Sequence, residues 1–594
     1  MKKRSEIEEK FKWDLSPLCK SDDDFNNALK LMQEYTQKVK KFEGKLNNKK
    51  NIKKYLEVEK EFEEKLEPIF LYVSLKCDED LTNDTEQQKD ELLSMAYRKF
   101  SEETSFVSSE LHDLSDKLLD SIIKDKDFAD FNRSFETIKK EKSHMLSKKE
   151  EKLLSGMDFL SGFSANSRLL SDADLTFNDV LDEKGKKHTL DHSTFSHYVR
   201  GKDRKLRENA MKEYNGAFGK NINMLANNYI NYVKEDCYFA KIRKFASALD
   251  ESLEDEEVSR NVYDTLLREV DKNLDILFDY FDLKKKCLNL KTMYIYDCMA
   301  DISFDSDKKY TFDEAMQIVY NALSPLGEDY INLLKQATKE RWMDVYPSKG
   351  KRTGAYENAI YGYHPYVLLN FNGSIGSIFE IAHELGHAMH SVYASKNQVR
   401  EKAGYTIFLA EIASTTNEIL LLNHLLKNAK NEKEKISLYN KFFDEVKGSI
   451  YRQTMFAEFE AKIHEQYENE QPLTKDFVCD TYYMLNQKYF GKVKLIDEIK
   501  YEWARVGHFF SSFYVYKYAT GMICALSFAN RILAGEENAL EDYKYFLSAG
   551  ESLPPLEVLN KANCPLESGK PFESGFSYLR DLIKDWKKCM KNLK

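Results

Sequence analysis

Apolar positions recur three and four residues apart over most of this chain, the spacing of helices that bury one face. Residues 1–160 are charge-rich and helical in pattern. From Asp24 to Lys65 apolar positions alternate with Lys and Glu at that period. Only 10 of 594 residues are proline, so helices can run long. The stretch Leu175–Leu190 departs from this pattern. It alternates around Thr176-Phe-Asn-Asp-Val-Leu and then turns at Glu183-Lys-Gly-Lys-Lys, which predicts a β-hairpin. This hairpin is expected to mark a seam between an N-terminal helical domain (1–200) and a second domain comprising the rest (201–594). Helical patterns resume near residue 203 and break again at Tyr346–Gly373. Pro347, Gly350, Gly354, Gly362 and Pro365 cluster there, with Pro365–Asn370 as a short strand candidate. Two further helical stretches cover about 408–426 and 512–533. The expected fold class is mainly α, with a small β-sheet element beside one key helix.

Composition narrows the partners. Hydrophobic residues make up 42%, enough for a substantial core. The net charge of -10, spread along the chain, disfavours nucleic acid, because phosphate binding wants a basic surface. No apolar run follows the N-terminal Met1-Lys-Lys-Arg-Ser-Glu, so no secretory leader is expected. No stretch of about 18 apolar residues predicts a membrane span. The 9 cysteines are scattered and form no C-x-x-C pair, which reads as reduced thiols in a cytoplasmic protein. Any Cys–His pair of a thiol peptidase would have to be made by the fold. Composition leaves the oligomeric state open.

The candidate chemistry lies in Ser377-Ile-Phe-Glu-Ile-Ala-His383-Glu384-Leu-Gly-His387-Ala-Met-His390. Positions 378, 381, 382, 385, 389 and 392 form one apolar stripe. Ser377 with Glu380 has capping-box spacing, and Ser374 is an alternative start. Residues four apart share a helix face, so His383 and His387 can offer two imidazoles to one metal ion. Glu384 points elsewhere, placed to act on a metal-activated water. A chance H-E-x-x-H in a chain with 12 His has a probability on the order of a few per cent. The bland alternative is a surface helix with two incidental histidines.

A catalytic zinc takes three protein ligands and keeps one position for water. The metzincin extension fails, because position 390 is His and position 393 is Tyr. His390 lies about 10 Å along the axis from His383 at 1.5 Å per residue. It cannot join both other histidines on one ion, so it is expected to be packed or to support a ligand. Glu411 interrupts the apolar start of the 408–426 helix, where a buried carboxylate is costly unless paired or metal-bound. It is the expected third ligand. Glu418, seven residues on, is read as orienting a ligand through a hydrogen bond, or else as a surface carboxylate. Glu401 sits in Arg400-Glu-Lys, which reads as a solvated run.

His383-Glu-Leu-Gly-His387, followed 24 residues later by Glu411 in Ala-Glu-Ile-Ala-Ser-Thr-Thr-Asn-Glu, resembles the thimet oligopeptidase and neurolysin family of zinc metallopeptidases. The oligoendopeptidase F branch is the nearer match. Gly350-Lys-Arg-Thr-Gly-Ala-Tyr356, Pro365-Tyr-Val-Leu-Leu-Asn370 and His508-Phe-Phe-Ser-Ser-Phe-Tyr514-Val-Tyr516-Lys-Tyr518-Ala-Thr-Gly521 resemble it too. The resemblance implies a helical, clam-like body with a deep substrate channel and one zinc ion at its floor. It implies an endopeptidase that hydrolyses short oligopeptides through a metal-activated water. His383, His387 and Glu411 are then the ligands and Glu384 the general base. His508 matches a histidine that stabilises the oxyanion, with Tyr516 the expected tyrosine and Tyr514 next. Phe513 and Tyr518 can be read as core. The loop of Gly354, Ala355 and Tyr356, with the Pro365–Asn370 strand, would pair an extended peptide as an added strand, and Tyr514 is also expected to touch substrate. Two rivals share these features: an end-dependent peptidase of the same chemistry, and a non-catalytic peptide-binding scaffold.

Overall fold

A computed structural model describes residues 2–155, 162–302 and 308–593. Residues 156–161, the end of the N-terminal stretch read as helical, lie outside the described residues. Helices carry most of the rest. The long helix α1 (Lys49–Glu79) starts where the Asn48 side chain accepts the Asn51 N–H at 3.1 Å. Pro68 lies inside α1 without ending it.

The predicted hairpin is present. Strands β1 (Val180–Leu181) and β2 (Lys187–His188) pair antiparallel, with Val180 opposite His188. A second sheet is built from β3 (Met343–Asp344), β4 (Tyr356–Asn358) and β5 (Tyr366–Leu368) in the order β3-β5-β4. β5 runs parallel to β3 and antiparallel to β4. Side chains alternate across it. Val367 joins the large apolar core, while Tyr366 and Leu368 pack with Trp13, Leu15, Leu71 and Leu75 of the N-terminal region. The sheet therefore joins the two halves of the chain.

Five helices frame the site: α2 (Ile375–Asn397), α3 (Ile407–Asn428), α4 (Gln453–Glu468), α5 (Tyr516–Leu533) and α6 (Ala539–Ala549). α3 packs between α2 and α5. α6 closes over α2, and α7 (Lys570–Asn592) packs along α5. One apolar cluster runs through this part of the chain, from Val180 to Cys589. Among the described residues, no helix is long and apolar enough to cross a membrane.

Candidate metal centre and active site

The start of α2 is Ser374, not Ser377. Ser374 Oγ accepts the Ser377 N–H at 3.2 Å, and Ser377 Oγ donates to Asn372 at 2.8 Å. The apolar stripe Ile378, Ile381, Ala382, Leu385, Met389 and Val392 is buried, which fixes the rotation of α2 about its axis. Gly386 fixes the spacing to α3. A Cβ at this position would lie 2.5 Å from Ser414 Cα, so only glycine allows the two backbones to come this close. The Asn417 amide ties the pair further, donating to the Ala382 carbonyl at 3.0 Å.

This packing brings His383, His387 and Glu411 together. His383 Nε2 and His387 Nε2 are 3.3 Å apart, and Glu411 Oε2 lies 3.4 Å and 3.6 Å from them. Tetrahedral zinc with ligand bonds of about 2.0–2.1 Å would set its donor atoms about 3.3 Å apart. Two imidazole nitrogens and a carboxylate oxygen at this spacing fit the ion in donor type and in size. Among the described residues this is the one group of three His, Cys, Asp or Glu side chains close enough to hold a metal. Glu418 is not a surface carboxylate. Its Oε1 is 2.5 Å from His383 Nδ1, which leaves Nε2 of that ring facing the group.

The electrostatics are uneven. Burial lowers the proton affinity of His383, but the Glu418 hydrogen bond and the charges of Glu418 and Glu411 outweigh it and push the imidazole up to about 9. Burial, and then the charge on His383, push His387 down to about 4. Glu384 is 7% exposed, and its carboxyl is pushed up to about 7, by burial first and by Glu411 in addition. A carboxyl that binds a proton near neutrality is suited to taking one and giving it back.

His390 is packed, as its axial distance implies. It is buried, stacks on Tyr405 at 3.8 Å, and burial pushes it down to about 3. Glu401, read as solvated, has a side chain only 8% exposed, with Lys60 Nζ at 3.8 Å. Its neighbour Arg400 pairs with Glu67 of α1. The N-terminal helix covers a run that looks solvated on its own.

The late segment corrects the choice of tyrosine. Tyr516 is 0% exposed, its hydroxyl has no partner, and its ring packs 5.4 Å from Tyr263 and 6.2 Å from Phe408. It belongs to the core. Tyr518, read as core, instead lines a cavity of about 470 Å³ with His383, Glu411, Glu418, Lys441 and Arg452. The exposed His508 lies 5.9 Å from both Tyr514 and Tyr518, ring to ring, and those two are 5.5 Å apart. Residues two apart on a helix point to opposite sides, whereas residues four apart share one. With Tyr516 in the core, Tyr518, two positions on, therefore turns to the cavity, and Tyr514, which precedes α5, places its ring 5.5 Å from that of Tyr518. Phe513 is buried, as expected of core.

The strand expectation also needs correction. Pro365–Asn370 contains β5, which is hydrogen-bonded on both sides and has no edge to offer. The edge beside it is β4, where Tyr356, Glu357 and Asn358 sit. The preceding loop is braced by the Asn370 amide, which donates to the Gly354 carbonyl at 2.7 Å and to Arg352 at 3.0 Å. Gly354 has φ +83 and is exposed, Ala355 follows, and the Tyr356 hydroxyl donates to Asp78 of α1 at 2.5 Å. A larger cavity, of about 1060 Å³, lies between α1 and the end of β4, with Glu59, Glu63, Glu67, Asn358 and Ile360 in its wall.

Comparison with known proteins decides the family. The sequence model of peptidase family M3 matches residues 198–578, and that of Oligopeptidase F matches residues 110–177. The chain belongs to peptidase family M3. It is thus a metalloendopeptidase, of the oligoendopeptidase F branch. Oligopeptidase PepF of Bacillus subtilis is 34% identical over 595 residues, spanning 100% of this chain and 89% of the relative. Group B oligopeptidase PepB of Streptococcus agalactiae is 34% identical, spanning 98% and 97%. The crystal structure of oligoendopeptidase-F from Enterococcus faecium superposes with a TM-score of 0.72 at 29% identity, over 96% of this chain and 99% of that one. A solved structure from Chlamydophila abortus superposes with a TM-score of 0.93 at 33% identity, over 99% and 100%. The helical, clam-like M3 architecture is the fold found here.

Proposed function

We propose that this M3 peptidase is a zinc-dependent endopeptidase of short oligopeptides, with His383, His387 and Glu411 holding one zinc ion. The observation that carries this reading is the convergence of three donor atoms 3.3–3.6 Å apart, with Glu384 on the same helix. The relatives named oligopeptidase support the substrate class. A bound zinc ion lowers the pKa of water and polarises the scissile carbonyl.

The chain supplies the rest. Glu384 takes the proton of the attacking water and passes it to the leaving amine. His508, Tyr514 and Tyr518 donate hydrogen bonds to the oxyanion, and Tyr516 does not take part. The peptide pairs along the β4 edge beside Gly354, Ala355 and Tyr356. All 9 cysteines are free, which supports action in a reducing cytoplasm.

The test combines elemental analysis with digestion of a peptide blocked at both ends. An endopeptidase cuts the blocked peptide and loses that activity with a chelator. An end-dependent enzyme leaves it whole, and a scaffold yields no product from any peptide.

Three expectations concern side chains. Glu418→Ala should weaken zinc binding about 10–100-fold, because His383 loses its orienting partner. A competition titration with a fluorescent zinc chelator reads this directly, and an unchanged affinity would strip Glu418 of the role. Tyr518→Phe should lower kcat by about 10²–10³-fold, the usual cost of one oxyanion donor, with zinc content unchanged. Tyr516→Phe should stay within about twofold of the parent, since its hydroxyl has no partner to lose. Steady-state kinetics on one peptide decides between the two tyrosines. The reverse ranking would return the role to Tyr516.

A further inference from the structure

Phe513 stands between His508 and Tyr514 with φ +57, a backbone region that a bulky L side chain seldom adopts. A phenylalanine held there needs an anchor. That anchor comes from α4. Glu460 is 0% exposed, and its Oε1 accepts the Phe513 N–H at 3.0 Å. Its other oxygen, Oε2, is buried without a hydrogen-bond partner. One turn further along α4, the His464 ring lies 4.6 Å from the Phe513 ring, and its Nε2 is 3.5 Å from Ser512 Oγ. The Tyr232 hydroxyl accepts both the N–H and the hydroxyl of Ser512 at 3.2 Å. The Ser512 carbonyl accepts the Ser252 hydroxyl at 3.3 Å.

A turn held in the left-handed region has one obvious way to relax: φ swings through more than a right angle to its ordinary negative value. The helix α5 starts only three residues later and is packed on both sides, so it cannot follow. The swing would have to be absorbed by residues 511–514, which carry Tyr514. The Glu460 hydrogen bond opposes it.

We infer that Glu460 is a positioning residue: by holding the Phe513 N–H in the left-handed turn, it sets how Tyr514 lies against His508 and faces the His383, His387 and Glu411 group. This rests on the oxyanion role given above to the late segment, and adds to it a residue from a separate helix. The contact needs an acceptor oxygen, not a charge. Burial, aided by Asp236 and opposed by the Phe513 hydrogen bond, holds the Glu460 carboxyl well above the ordinary carboxylate range. Glutamine has the same shape and the same acceptor, so it should substitute. Aspartate keeps the acid but withdraws the oxygen by one methylene.

The experiment uses the zinc-loaded full chain as E460D, E460Q, Y514F and H508A, with a blocked peptide as substrate. A parallel set carries 3-fluorotyrosine at position 514. E460D should lower kcat on the order of 100-fold, the effect of misplacing a group by about 1 Å, with KM and zinc content nearly unchanged. E460Q should stay within about threefold of the parent, since its amide oxygen keeps the acceptor in place. The ¹⁹F line of residue 514 should shift and broaden in E460D but not in E460Q. Parent-like kcat with an unmoved fluorine line in E460D overturns the proposal, as does an E460Q as impaired as E460D. If the line moves in E460D while Y514F and H508A keep the parent kcat, Glu460 still positions the turn and the oxyanion reading is what fails.

Discussion

Glu384→Gln should keep its zinc and lose most of its peptide hydrolysis, with kcat falling by about 10²–10⁴-fold, the range supplied by a positioned general base. The substitution preserves shape and removes only the ability to take a proton. Glu384 follows His383 directly, so its side chain leaves the helix about 100° away from the imidazole. It is not among the three groups whose donor atoms converge. Loss of its carboxylate therefore leaves the ligand set intact. In the metal-free site its proton affinity is pushed up to about 7, by burial first. Elemental analysis should show one zinc per chain in both proteins, and kinetics should separate them. A variant with full zinc and a kcat within a few-fold of the parent would remove the base role from Glu384.

The second large effect is expected at Glu411. Removing its carboxylate in Glu411→Ala leaves two imidazoles, one fewer ligand than a catalytic zinc site provides. Zinc affinity should fall by more than about 100-fold, beyond the range seen when an outer partner such as Glu418 is lost. Activity should fall in step at limiting zinc and return in part at high zinc. The Glu411 side chain is 36% exposed, so its loss opens no sealed cavity, and the metal-free protein should melt near the parent's metal-free temperature. Parent-like zinc content at limiting metal would exclude Glu411 from the ligand set.

The sequence displays some of this site openly and conceals the rest for identifiable reasons. The pairing of His383 with His387 is legible because a helix converts a spacing of four into a shared face, and Glu384 stands out only through its place between them. Glu411 stands out because it interrupts an apolar helix start, although its side chain is 36% exposed and is not the buried carboxylate that pattern implies. Tyr516 and Tyr518 cannot be ranked by spacing alone. The choice depends on where α5 begins, and a left-handed residue at Phe513, which propensity would not place there, precedes that start. The strand at 366–368 was visible in composition, but its central place depends on pairing with Met343–Asp344, more than 20 residues earlier. Glu401 looked solvated because its immediate neighbours are charged. The helix that covers it lies more than 300 positions away in the chain.

The contact at Gly386 acts as a ruler. α2 carries the histidines, α3 carries the carboxylate, and the missing side chain between them sets the separation at which their three donor atoms converge. Even a methyl group there would work as a shim, prising Glu411 from the imidazoles without touching any of them. On the proposed ligand set, metal affinity is in that sense calibrated by a residue that has nothing to offer the metal.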